Sequence, residues 1–146
     1  MTYEPGRIMA LDVGGRRIGV ALSDTMRVIA SPLTTLRAEP RARALAELAK
    51  LVRDYEVAEV VVGLPLTLSG EVGPQAKLVQ LFAEELERTI AVPVRLFDER
   101  LTTVAAERMM LDLGMKPDQR KARIDEVAAS IILQDFLDSI RQRQEL

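Results

Sequence analysis

Three short apolar runs precede the first helical period in this 146-residue chain, and they require a fold that begins with a sheet. The run from Arg7 to Val13 is too short for a core helix and stops at Gly14-Gly15. Ile18 to Ser23 resumes it, so the two runs form a hairpin turning at Gly14-Gly15-Arg16. A third strand covers Val28 to Leu36. Its Pro32 has no N–H to donate to a neighbouring strand and so suits a sheet edge.

Helical and strand periods then alternate. Pro40 opens a helix whose apolar positions are Leu45, Leu48, Val52 and Tyr55. Glu59 to Val62 is a short β-branched strand, expected to be buried on both faces and parallel to the first. Gly63 to Gly73 is expected as a loop, and Pro74 starts a helix with the stripe Leu78, Leu81, Phe82 and Leu86. Pro93 precedes a strand from Val94 to Phe97 that ends at Asp98-Glu99. Thr102 or Thr103 caps a further helix to about Leu113, closed by Gly114. A polar loop, Lys116 to Arg123, leads to the last helix, Ile124 to about Arg141. The order is βββαβαβα with a final helix after it. It predicts an α/β domain spanning residues 1–146, whose mixed sheet joins an antiparallel hairpin to parallel strands reached by right-handed crossovers.

Composition narrows the chemistry. The chain has no His and no Cys, so it has no imidazole base, no thiolate nucleophile and no zinc site of the common nitrogen–sulfur type. The lack of cysteine fits a reducing compartment, and no apolar stretch approaches the ~18 residues that would span a bilayer. These features predict a soluble cytoplasmic protein with no membrane contact. Net charge is −2 and aromatics are 3% of residues, with no Trp. A base-stacking platform is therefore not expected, and any nucleic-acid contact would be made to phosphates.

Three carboxylates stand at the ends of three different core elements: Asp12 in LDVGG, Glu99 in FDERLTT and Asp125 in RIDEVAAS. In an open α/β sheet the crevice lies beyond the carboxyl ends of the parallel strands, where Asp12 and Glu99 fall. Along the last helix, Asp125 shares the i, i+3, i+4, i+7, i+11 face with Ala128, Ala129, Ile132 and Phe136, while Glu126, Ser130, Gln134 and Asp138 take the solvent side. Asp125 is thus aimed at the sheet from the helix's first turn. Gathering three carboxylates in a desolvated place is costly unless a cation neutralises them. The cation of choice is a hard, oxygen-preferring one, Mg²⁺ or Mn²⁺. Asp98, adjacent to Glu99, is the alternative ligand, since strand side chains alternate faces. Taken singly, Asp12 could merely shape a turn, Glu99-Arg100 could be an exposed ion pair, and Asp125 could be a helix N-terminal acid.

The segments LDVGGRRIGVALSD, VVGLPLTLSGEVGPQA, FDERLTT and RIDEVAASIILQDFL together resemble the YqgF/RuvX family of the ribonuclease H-like superfamily, in order and over nearly the whole chain. The resemblance implies a five-stranded ribonuclease H-like sheet with helices on both faces. It also implies a divalent-metal nuclease whose acidic residues are Asp12, Glu99 and Asp125. Members are associated with 5′-end maturation of precursor 16S rRNA and are also described as Holliday junction resolvases. The implied partner is structured RNA or branched DNA, held by a monomer or a homodimer.

Basic residues rim the acidic set: Arg16 and Arg17 on the hairpin turn, Arg100 beside Glu99, and Lys116, Arg120, Lys121 and Arg123 before Asp125. A positive rim around a cation-filled centre suits a polyanion, and the resemblance implies that the loop before Asp125 is mobile. Thr67 and Ser69 could donate to a phosphate or simply furnish a surface loop. Two rival functions remain. Asp-x-Gly-Gly followed by Gly19 also resembles the first phosphate loop of sugar kinases and actin-like ATPases, though those bind ATP between two such domains. The other is a catalytically silent nucleic-acid binder.

Overall fold

A computed structural model describes residues 4–67, 69–99 and 110–145. Strands β1 (Arg7–Val13), β2 (Arg17–Ser23) and β3 (Ala30–Arg37) come first. Helix α1 (Arg41–Asp54), strand β4 (Val57–Pro65), helix α2 (Pro74–Thr89) and strand β5 (Val94–Glu99) follow, and helix α3 (Pro117–Glu145) completes the order. The five strands form one sheet in the order β3-β2-β1-β4-β5. β1–β2 and β2–β3 are antiparallel, whereas β1–β4 and β4–β5 are parallel. This is the mixed sheet that the element order predicts. Pro32 lies on the edge strand β3, where the ladder with β2 is irregular between Val20 and Ala21.

Strand alternation sends side chains to two separate cores. Met9, Leu11, Ile18, Val20, Val60 and Val62 face α1 and α2. Ile8, Ala10, Ala21 and Val61 face α3 through Ala129, Ile132, Leu133 and Phe136. Helices therefore cover both faces, and β4 is buried on both, as its β-branched run predicts. Phe97 and Phe136 meet edge-to-face at 5.4 Å, tying β5 to α3.

Several boundaries and faces differ from expectation. β4 runs on through Gly63 to Pro65, so the loop after it is shorter. α1 buries Ala44 and Ala49 beside Leu48 and Val52, while Tyr55 is an exposed C-cap. α2 buries Ala76, Val79, Phe82, Ala83 and Leu86, and leaves Leu78 and Leu81 54% and 53% exposed. In both helices small alanines mark the stripe nearest the sheet, because a close approach selects for size before hydrophobicity.

The largest difference is at α3. It begins at Pro117, so Arg120, Lys121 and Arg123 lie in its first two turns and not in a loop. The start signals are local: Pro117 at the first helical position, Asp118 in the first turn, and Gln119, whose Oε1 accepts the Lys116 N–H at 3.1 Å. The solvent side also differs. Ser130 is buried, and Gln134 Oε1 accepts the Ala30 N–H at 3.0 Å while its Nε2 donates to Val28 O. The cause is a second contact flank, where Met110 and Met115 pack on Ile124, Val127, Ala128 and Ile131. The expected helix from Thr102 falls mostly outside the described residues. Its end at Gly114 is described: Gly114 has φ +73°, its N–H reaches Leu111 O, and Met115 N–H reaches Met110 O.

One buried hydrogen bond anchors the start of β1. Ile8 N–H donates to Ser23 Oγ at 2.9 Å, and Ser23 is 2% exposed. Ser23→Ala leaves that donor unpaired among apolar groups and is expected to cost about 1–3 kcal/mol in urea unfolding. A loss indistinguishable from zero would mean that water reaches Ile8 N–H.

Candidate active site

Asp12 closes β1 on the face that α3 covers, since it alternates in register with Ile8 and Ala10. Its cross-strand partner on β2 is Gly19. A Cβ built on Gly19 would stand 1.9 Å from Asp125 O and 2.2 Å from Asp125 C. The absent side chain therefore lets the α3 backbone rest on β2 at Asp125, beside Asp12. Asp125 thus sits in the third turn of α3, well beyond the reach of the helix's N-terminal dipole, so a role as a helix-start acid is removed.

Glu99 ends β5, two strands from β1 across β4. It shares the α3 face with Phe97, whereas Asp98 alternates to the face of Val94 and is exposed. Of the two neighbours, Glu99 is therefore the one on Asp12's side of the sheet. The gap across β4 is opened by a second glycine. A Cβ on Gly63 would meet Glu99 Oε2 at 3.4 Å and Ile132 Cδ1 at 2.7 Å. Gly63 pairs with Phe97, two residues before Glu99's own partner Pro65, so the Glu99 carboxylate leans back over the bare strand toward Asp12. Gly19 and Gly63 are the site-forming residues that motif reasoning passed over. Gly19 carried a signal, a glycine inside a strand pattern, which marks close approach, whereas Gly63 was expected at the start of a loop.

The electrostatics agree with this convergence. Burial, then the charge of Glu99, then that of Asp125 push the Asp12 carboxyl up to about 7. Coulombic pressure reaches farther than a coordination bond, however. Among the described residues no three acidic side chains stand together as a ready ion-holding cluster. Part of the reason is visible: Arg17 Nε lies 2.7 Å from Asp125 Oδ2, an ion pair that already engages one carboxylate of the set. The donor chemistry nonetheless fits a hard divalent ion, because the set is all oxygen and its most buried member resists its own charge.

The other expected residues distribute as follows. Arg16 is exposed on the hairpin turn, and its carbonyl accepts the Ala38 N–H at 2.9 Å. Lys116 is exposed at the N-terminus of α3, and Arg123 is engaged with Glu126 at 3.4 Å. The side chains of Arg120 and Lys121, and the whole of Arg100, lie outside what is described. Thr67 and Ser69 are knitted into their own turn: their hydroxyls are 3.0 Å apart, and Thr67 Oγ1 accepts the Glu71 N–H. Two cavities among the described residues, of about 300 and 360 Å³, are lined by no carboxylate of the set. The acidic residues, each half-buried, form a ledge at the sheet end.

Comparison with known proteins places this arrangement. The family model described as "RuvX: Holliday junction resolvase" matches residues 6–139. A Roseiflexus protein named "Putative pre-16S rRNA nuclease" is 68% identical over 97% of this chain and 100% of its own length. A Chloroflexus aurantiacus protein of the same name is 60% identical over 92% of this chain and 88% of its own. Among solved structures, Thermus thermophilus RuvC in complex with a Holliday junction substrate superposes with a TM-score of 0.56 at 14% identity, covering 92% of this chain and 96% of that one. The Fowlpox virus resolvase bound to Holliday junction DNA gives 0.52 at 12% identity, over 92% and 98%. At such identities the structures speak for the fold, which is ribonuclease H-like. With its sheet, its segment order and its relatives in agreement, this chain belongs to the RuvX family.

Proposed function

We propose that this chain is a divalent-metal-dependent phosphodiester nuclease that processes the 5′ end of precursor 16S rRNA, in a single catalytic domain working in the cytoplasm. The observation that carries the reading is the convergence of Asp12, Glu99 and Asp125 from β1, β5 and α3 onto one sheet face, with Asp12 pushed up to about 7. Its relatives' names supply the rRNA substrate. The family description and the resolvase folds favour a second substrate, a four-way DNA junction. A junction must be cut on two strands symmetrically, which calls for a dimer.

Asp12, Glu99 and Asp125 would hold the ions, with Asp12 central because it lies between the other two. When bound, Mg²⁺ or Mn²⁺ would supply activation of a water for in-line attack and neutralisation of the negative charge on the phosphoryl and leaving oxygens. The chain's own contribution is placement. The rigid end of β1 holds Asp12, Gly63 gives Glu99 its path, and Gly19 seats Asp125. Arg16, Arg17 and Lys116 draw the phosphate backbone onto the ledge. No protein nucleophile is required, which suits a chain without His or Cys.

Two measurements test this. First, Mg²⁺ or Mn²⁺ stabilises the fold by mass action, about 2.7 kcal/mol at a hundredfold excess over Kd, which is a rise of several degrees in Tm. An unchanged Tm through the millimolar range removes the metal site. Second, a cleavage panel of precursor rRNA leader, four-way junction and single strands, with light scattering for oligomeric state, decides the substrate. Cutting of the leader by a monomer supports rRNA processing, and symmetric cutting of the junction by a dimer replaces it with resolution.

A further inference from the structure

We propose that Arg17 and Arg37 form a two-guanidinium clamp for a substrate phosphate beside the carboxylate ledge, and that phosphate bound there draws Arg17 off Asp125. The proposal rests on the nuclease reading above for the identity of the substrate.

β2 and β3 pair so that Arg17 stands opposite Arg37, on the face that carries Gly19 and Asp12. Like charges directly opposite one another on a sheet repel. Here they are held there: the Ala38 N–H donates to Arg16 O at 2.9 Å and ties the end of β3 to the hairpin turn. Arg17 relieves part of the repulsion through Asp125, at 2.7 Å, with its own side chain still 53% exposed. Arg37 is exposed and has no ion pair among the described residues. Two guanidinium forks on neighbouring strands match the several acceptor oxygens of a phosphodiester, and the anion between them cancels the repulsion. The expected rim before Asp125 does not include Arg37. The clamp extends the substrate path to the β3 edge.

Arg17 has one guanidinium and two anionic suitors. While it bridges to Asp125, that carboxylate is only partly available to a cation. When a phosphate takes the guanidinium, Asp125 is released, so phosphate binding and cation binding help each other, and by the same factor in both directions. An enzyme arranged this way assembles its acidic set where a backbone is present.

The test has two arms, each with circular-dichroism melts as the folding control. In EDTA, fluorescence anisotropy follows a labelled single strand bound to wild type, Arg37→Gln and Arg37→Lys across a KCl series. The expected result is weaker binding by Arg37→Gln and a log–log salt slope shallower by about 0.7, the share of one phosphate on a single strand, with the slope restored by Lys. Wild-type affinity and slope in Arg37→Gln overturn the clamp. In the second arm, Mn²⁺ affinity is read from the electron paramagnetic resonance of free Mn²⁺, with and without a cleavage-resistant 2′-O-methyl phosphorothioate strand. The strand is expected to tighten Mn²⁺ binding at least about fivefold in wild type. Arg17→Gln should bind Mn²⁺ tightly without the strand and gain little from it. Equal enhancement in both proteins overturns the transfer of Arg17. If no protein binds Mn²⁺, the nuclease reading and the transfer fall together, and the EDTA arm still judges the clamp.

Discussion

Asp12→Asn is expected to lower the phosphodiester cleavage rate by at least ~10²-fold, the usual cost of removing one electrostatic stabiliser, while making the cation-free protein more stable at neutral pH. The two effects share one cause. Burial and the charges of Glu99 and Asp125 raise the folded-state pKa of Asp12 to about 7 from 3.8. Between those values the folded state binds more protons than the unfolded state, so stability falls as pH rises. The burden is absent below about pH 4 and complete above about pH 7. Fully expressed, the shift corresponds to about 4 kcal/mol as an upper bound. Asn cannot ionise, so the variant escapes the burden, and in EDTA at pH 8 it should outlast wild type in urea. Adding Mg²⁺ should narrow or reverse that order, because only wild type has the full anionic set. Were Asp12 merely a turn-former, Asn would serve equally well, cleavage would persist within a few-fold, and the two proteins would show the same pH dependence. Single-turnover cleavage and urea titrations from pH 4 to 8 distinguish the cases.

Gly19→Ala is expected to be among the most damaging one-carbon additions in the chain. The new methyl would overlap Asp125 O at 1.9 Å, with Asp125 C at 2.2 Å and Glu126 N at 2.9 Å, all of them backbone atoms that no rotamer change can move. α3 must lift from β2, taking Asp125 away from Asp12 and opening the core around Ala129 and Ile132. Overpacking of this kind costs about 3 kcal/mol or more, about 6–12 °C in Tm for a chain of this size. Cleavage should fall further than stability alone explains. Two companion substitutions calibrate the result. Gly63→Ala meets only the tip of Ile132 and, at 3.4 Å, Glu99 Oε2, so it should cost less stability and disturb mainly Glu99. Gly15→Ala meets nothing within 4 Å and should be close to neutral. Equal melting temperatures for all three would mean that α3 does not rest on Gly19.

Where reading from sequence worked, the deciding physics was local. The hairpin at Gly14-Gly15, the edge position of Pro32, the buried parallel β4 and the glycine closure at Gly114 each follow from backbone rules acting over a few residues. Where it failed, a neighbouring element had overruled the local pattern. α2 turns its alanines inward and leaves Leu78 and Leu81 in solvent, because the distance to the sheet, and not the count of apolar residues, chose the face. Ser130 and Gln134 look polar and outward until the flank formed by Met110 and Met115 packs beside Ser130, and until Ala30 N–H and Val28 O, at and just before the start of β3, pair with the Gln134 amide. The start of α3 is the exception. Pro117, Asp118 and Gln119 were legible as a helix opening, but the density of charge that follows resembles a loop.

The residues alone determined the chemistry open to this protein: carboxylates without His or Cys, a basic rim, and a strand–helix order permitting few folds. They also placed Asp12 and Glu99 near the ends of strands and Asp125 on the sheet-facing side of the last helix. Only the tertiary structure decided that they share one face of the sheet, and which neighbours intervene. Glu99 rather than Asp98 faces Asp12 because β5 alternates about that face. Glu99 reaches across β4 because Gly63 is bare, Asp125 comes close because Gly19 is bare, and Arg17 lies against Asp125 because β2 carries it there. Each is a distance between segments far apart in the chain, set by how closely two backbones can pack.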